Sequence, residues 1–258
     1  MQPTKRPRLR PAVLAGGALS CLVLTAAYAQ TPVPRPVSPT APRAVTPAAP
    51  RSAATTPAPA TAGDYDIRGF RSANFGMTQA QTRAAVAADF GAAVAAKITE
   101  SVNPAEGTTI LQVTVPRLEP GPGAAQLTYI FGASSKTLAH INVVWMLDGE
   151  PDANQRQSIM TAAGVLANYF QTLPNPPRST LSNNGAAVVG PNTLLVYGAS
   201  DRKGAGIQVV ADGISYQATS ADNKPANSPP PKGPATLQVS YISNTANPDV
   251  IRIKPGAF

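Results

Sequence analysis

The sequence predicts an α+β domain: an antiparallel sheet with helices packed on one face, formed by tandem duplication of a helix–hairpin unit. Three observations predict it. Apolar residues alternate with polar ones over several short runs, the two-residue period of half-buried strands. Two other segments read as helices, one opened by a capping box and one carrying apolar residues at three- and four-residue spacing, each ahead of a group of strands. A 17-residue stretch recurs without a gap 66 residues downstream. The expected organisation is a signal segment over 1–29, a Pro/Ala-rich linker over 30–63, and one folded domain over 64–258. The pseudo-repeats fall at about 64–150 and 151–258.

The first ten residues carry Lys5, Arg6, Arg8 and Arg10 and no acid. An uncharged run from Ala12 to Ala27 follows, closed by Ala27-Tyr28-Ala29. A basic start, an apolar middle and small residues at the –3 and –1 positions predict a secretory signal cleaved after Ala29. The expected location is therefore the periplasm or another exported compartment. Two alternatives remain open on this segment: an uncleaved membrane anchor, the only expected contact with a membrane, and lipid attachment at Cys21, the chain's single cysteine. After cleavage the mature chain has no thiol to form a disulfide, so a core of some 195 residues must hold the fold alone.

The linker is made almost wholly of Pro, Ala, Thr, Ser and Val, with Pro34-Arg35, Pro42-Arg43 and Pro50-Arg51 recurring every eight residues. With no apolar face to bury, it is expected to be an extended spacer reaching on the order of 100 Å. The net charge of +8 belongs largely to these two segments. Four of the 21 Lys and Arg residues lie in the signal and three in the linker, leaving fourteen in the domain against all thirteen acids, a net +1. That distribution argues against a nucleic-acid partner, which would need positive charge on the folded part.

In the domain, Gly76-Met77-Thr78 opens the first helix. Thr78 and Gln81 have the spacing of a capping box, and Gly91 stops the helix. Strands are expected over Thr109–Val115, Leu127–Phe131 and Ala139–Trp145. The second helix starts near Pro151-Asp152. It aligns Ile159, Ala163, Leu166, Phe170 and Leu173 on one stripe, and Pro174 ends it. Tyr129–Trp145 then matches Leu195–Ala211: both read aromatic-Gly-Ala-Ser, then Ile-Asn/Gln-Val-Val. Each is read as a hairpin with a turn opened by Gly and a basic residue at its tip. Later strands are expected at Ile214–Gln217, Thr236–Ile242 and Val250–Ile253, with 218–234 an exposed loop.

Gly76-Met77-Thr78 opening a helix that leads into antiparallel strands resembles the small periplasmic modules of outer-membrane assembly lipoproteins of the SmpA/OmlA (BamE-like) type. The duplication is similar to the tandem arrangement of the β-lactamase-inhibitor protein. The resemblance covers residues 70–145 and their repeat. It implies a binding or assembly role without catalysis. Two features depart from it: Cys21 sits poorly for lipid attachment, and the strands are separated by longer Pro/Gly loops.

No catalytic, cofactor or metal site is expected. The one histidine, His140, has no nucleophile elbow or orienting carboxylate nearby in sequence. One His without a mature Cys cannot form an ordinary zinc site. Gly198, Gly204 and Gly206 lack dinucleotide-binding spacing and read as hairpin turns. The expected function is an exported, non-enzymatic protein-interaction module, an accessory subunit of a cell-envelope complex with an envelope protein as partner. An envelope-polymer or small-ligand binder is the alternative, and a hydrolase around His140 a third. Candidate contacts are the hairpin tips, Ser134 with Lys136 and Arg202 with Lys203. Trp145 and Tyr197 join them if part of the sheet is open, core packing being the default for both. The segment Tyr241–Asp249, with its Asn-Pro-Asp, reads as a turn or a recognition loop.

Overall fold

The computed structural model describes residues 65–181, 185–219 and 225–251. The expected signal, the Pro-Arg linker, Cys21 and the end of the strand proposed at Val250–Ile253 lie outside them. All described residues belong to one compact unit.

The chain opens with a small hairpin, β1 (Gly69–Phe70) and β2 (Ala73–Asn74), leading into α1 (Gln79–Phe90) and a single turn, α2 (Ala92–Ala95). The capping box is present: the Thr78 hydroxyl accepts from the Gln81 amide while the Gln81 side chain accepts from the Thr78 amide. Four antiparallel strands follow, β3 (Thr99–Asn103), β4 (Thr108–Val115), β5 (Ala125–Phe131) and β6 (Leu138–Leu147). Then comes α3 (Ala153–Gln171), whose Asp152 and Gln155 form a second capping box. The remaining strands are β7 (Arg178–Ser179), β8 (Ala187–Gly190), β9 (Thr193–Ser200), β10 (Gly206–Asp212), β11 (Gln217–Thr219), β12 (Pro225–Asn227) and β13 (Ala235–Ile242).

One nine-stranded sheet runs β3-β4-β5-β6-β13-β10-β9, with β7 and β8 both pairing on the far side of β9. Every pairing is antiparallel. The two halves therefore share a sheet, joined where β6 pairs with β13. In chain order a helix precedes antiparallel strands twice, α1 before β3–β6 and α3 before β7–β10. In the sheet order β4-β5-β6 stand on one side of the β6–β13 seam and β13-β10-β9 on the other. The hairpins matched by sequence, β5–β6 and β9–β10, flank β13 from opposite sides. Their registers also differ. Gly132 opens the β5–β6 turn, whereas its counterpart Gly198 lies within β9 opposite Gln208.

The core lies between the sheet and its helices. Val113, Leu127, Val143, Val239, Val209 and Tyr197 form one row across six paired strands, all buried. Ile159, Ala163 and Phe170 of α3 and Val86 of α1 close over this face. At the start of α3 a buried guanidinium brackets three loops. Arg156, 8% exposed, donates to the carbonyls of Pro151, Gly213 and Gly233 at 2.9, 2.6 and 2.8 Å.

Three expectations change. Residues 214–216 are not in a strand, and Gln217 begins β11: Ile214 is fully buried, but its amide bonds Asn192 rather than a sheet neighbour. The loop expected over 218–234 contains the small hairpin β11–β12. Val250 and Ile251 belong to no strand; the Ile251 amide donates to the Glu106 carbonyl, an isolated bond to the β3–β4 turn.

Candidate interaction surface

Because side chains alternate along a strand, the residues between the core positions point away from the helices. They form three rows on β4, β5, β6, β13 and β10. The row nearest the hairpin tips is Ile110, Ile130, His140 and Ile242, ending at Gly206. The middle row is Gln112, Thr128, Asn142, Ser240 and Gln208. The third is Thr114, Gln126, Val144, Gln238 and Val210. None of these fifteen positions is charged. The first carboxylate on this outer face is Asp212, at the end of β10.

The middle row is internally bonded. The Ser240 hydroxyl donates to Asn142 Oδ1 at 2.8 Å, and Gln238 Nε2 donates to Ser240 Oγ at 2.8 Å and to Asn142 Oδ1 at 3.3 Å. Asn142 and Ser240 are buried among their neighbours. The ladder holds otherwise free amide rotamers in one arrangement.

His140 sits beside this ladder. Its Nε2 is buried with no hydrogen-bond partner among the described residues. Burial lowers its pKa to about 4, opposed by a hydrogen bond with Asn142. The ring is neutral at pH 7, and among the described residues no carboxylate orients it. Among the described residues no group of His, Cys, Asp and Glu could hold a metal.

The two hairpin tips lie at one end of the sheet, about 15 Å apart by strand spacing. Each is organised by an aspartate. At the second tip the buried Asp201 carboxylate accepts from the amides of Lys203 and Ala205 and from Ile67 of the N-terminal segment. Lys203 Nζ reaches Asp66 at 2.7 Å, and Arg202 is exposed. At the first tip the carboxylate comes from 115 residues away: Asp249 accepts from the amides of Ser134 and Ser135, both at 2.9 Å. Hydrogen bonding, first from the Ser135 side chain and then from these amides, lowers the Asp249 pKa to about 2. A side chain at Gly132 would collide with that carboxylate and displace it. Ser134 and Lys136 are exposed, with Lys136 in the left-handed region at φ 57°.

The segment after β13 is thus a strap. Its Thr245 amide bonds the Gly204 carbonyl at the second tip, Asp249 seats the first, and Ile251 reaches the β3–β4 turn. The Asn-Pro-Asp signal marked a turn there; nothing in the sequence pointed to its remote target.

Trp145 and Tyr197 are corrected as contacts. They lie on the helix-covered face, 2% and 4% exposed. The Trp145 indole donates to the Leu118 carbonyl at 2.7 Å, and Tyr197 stacks on Phe170 at 5.4 Å. Sequence reasoning missed the outer-face amides. Their signal was present: the residues alternating with the expected core positions carry no charge.

Compared with protein-family models, curated proteins and solved structures, the chain matches none of them.

Proposed function

We propose that this chain is an exported, non-catalytic protein-interaction module that binds its partner through the outer face of the sheet. The observation that carries the reading is the absence of charge from fifteen consecutive outward positions on five strands. A solvated sheet face tolerates Lys, Arg and Glu, although strand propensity favours Thr and β-branched residues. The core of a protein interface disfavours them, because each buried charge must be desolvated. The hydrogen-bonded ladder of Asn142, Ser240 and Gln238 further lowers the entropy lost when a partner orders these side chains. Export rests on the residue pattern of 1–29, and an envelope protein is the expected partner. His140, neutral and without an acid or nucleophile bonded to it, fits a place at the edge of that surface better than a catalytic role.

The test is crosslinked capture from intact cells with the tagged full-length protein, alongside Gln112→Lys/Gln208→Lys. These substitutions charge both ends of the middle row. A protein captured in near-stoichiometric amount by the parent and at least tenfold less by the variant, with melting unchanged, is the expected result. Equal capture by both proteins removes the outer face from the reading.

A further inference from the structure

On the opposite side of the sheet the helices leave a gap. Between α3 and the β1–β2 hairpin lies a groove of about 870 Å³. Tyr241 of β13 forms its floor, Tyr65 and Phe70 one wall, Tyr169 and Phe170 the other. The rings touch in a continuous set: Phe70 lies 5.7 Å from Tyr241, Phe170 6.3 Å from Tyr241 and 5.2 Å from Tyr169. Tyr169 remains 54% exposed, an unusual position for a large ring on a core helix.

Two further properties define what the groove can hold. The charges along it are already engaged. Asp66 pairs with Lys203 and Arg68, Glu119 with Arg117, and the Arg71 guanidinium lies over Phe90 at 4.8 Å. A neutral ligand therefore suits it best. Tyr65, Tyr169 and Tyr241 all line the groove, and none of their hydroxyls has a hydrogen-bond partner among the described residues. Partly buried phenols normally find an acceptor.

We propose that this groove binds a proline-rich peptide of a partner protein in the polyproline II conformation. Such a segment is neutral, lays flat pyrrolidine rings against aromatic faces, and has no internal hydrogen bonds. Its prolines have no N–H, so its carbonyls are the only polar groups it offers. The three phenol donors supply what those carbonyls lack. This site lies on the other side of the sheet from the outer face and stands independently of it.

The experiment is calorimetric titration of the full-length protein with a decaproline peptide, a Gly-Ser decamer of equal length, and chitotetraose as a neutral glycan. Decaproline is expected to saturate one site. Tyr169→Ala, at an exposed position that leaves the core intact, weakens it at least tenfold, while Gln112→Lys/Gln208→Lys leaves it unchanged. Four results overturn the proposal: no saturable decaproline binding by folded protein, equal binding of the Gly-Ser decamer, an affinity indifferent to Tyr169→Ala, or Tyr169-dependent binding of chitotetraose alone, which would make this a glycan site.

Discussion

The same five strands present two unlike faces one residue apart. Val113, Leu127, Val143, Val239 and Val209 are buried under the helices. Their neighbours Gln112, Thr128, Asn142, Ser240 and Gln208 face the other way and carry amides and hydroxyls. A one-residue slip of any strand would exchange the two sets, so the register is strongly specified. Yet the second face is not the charged surface that solvent alone would select. One face is held by area removed from water, the other by hydrogen bonds among neutral groups. Substitutions on the two should therefore fail in different ways.

The largest effect is expected on the covered face. Trp145→Ala removes a ring 2% exposed, breaks its bond to Leu118, and exposes the loop glycine, Gly121, that packs flat against the indole. Large-to-small changes of an aromatic cost about 3–5 kcal/mol. Urea unfolding should show a loss of that size with no change in slope. A loss near 1 kcal/mol would mean that the β4–β5 loop collapses into the space.

Arg156 comes next, because it is the charged exception in the core region. Removing its side chain leaves the Pro151, Gly213 and Gly233 carbonyls without their donor, on the order of 2–3 kcal/mol for Arg156→Ala. Arg156→Lys should recover only part of this, since an ammonium cannot reproduce the planar fork. Full rescue by lysine would show that charge rather than geometry holds the three loops.

The contrast also separates two pH windows. The folded chain disfavours protonated His140, whereas the unfolded chain protonates it near pH 6.5. Between about pH 6.5 and 4 the unfolded state thus binds more protons, and stability falls as pH falls. Asp249 behaves likewise further down: its pKa is depressed from 3.8 to about 2, so its contribution is complete above pH 4 and lost as pH drops through 2. The melting temperature of His140→Gln should lose the upper part of the acid slope only, and that of Asp249→Asn the lower part only. Parallel curves for parent and His140→Gln between pH 7 and 5 would show that the ring is solvated.

Much of this architecture was legible because it is local. Thr78 with Gln81 specifies a helix start within four residues, and the alternation through Ile141, Val143 and Trp145 specifies a strand. Features that depend on remote partners were not. β3, Thr99-Glu100-Ser101-Val102-Asn103, has no apolar alternation, and only its pairing with β4 makes it a strand. Ile214 is buried like a strand residue without being in one. The periodicity grouped Trp145 with its neighbours but could not say which face the helices would cover. Asp249 and Ser134 meet only after the sheet has formed, so no window of sequence contains both.

The smallest effect belongs to the outer ladder, and it bears most directly on whether that face is preorganised. Ser240→Ala and Asn142→Ala each remove a neutral hydrogen bond on a partly solvated face, about 0.5–1.5 kcal/mol apiece. Because the two side chains bond each other and share Gln238, their double mutant should cost less than the sum, with a coupling of at least about 0.5 kcal/mol. Such coupling means that the amides are fixed before any partner arrives. A coupling near zero would mean that water bridges them equally well. The uncharged face would then be a soft surface that must order on binding, and the entropic argument for it as an interface would fail while its lack of charge remained to be explained.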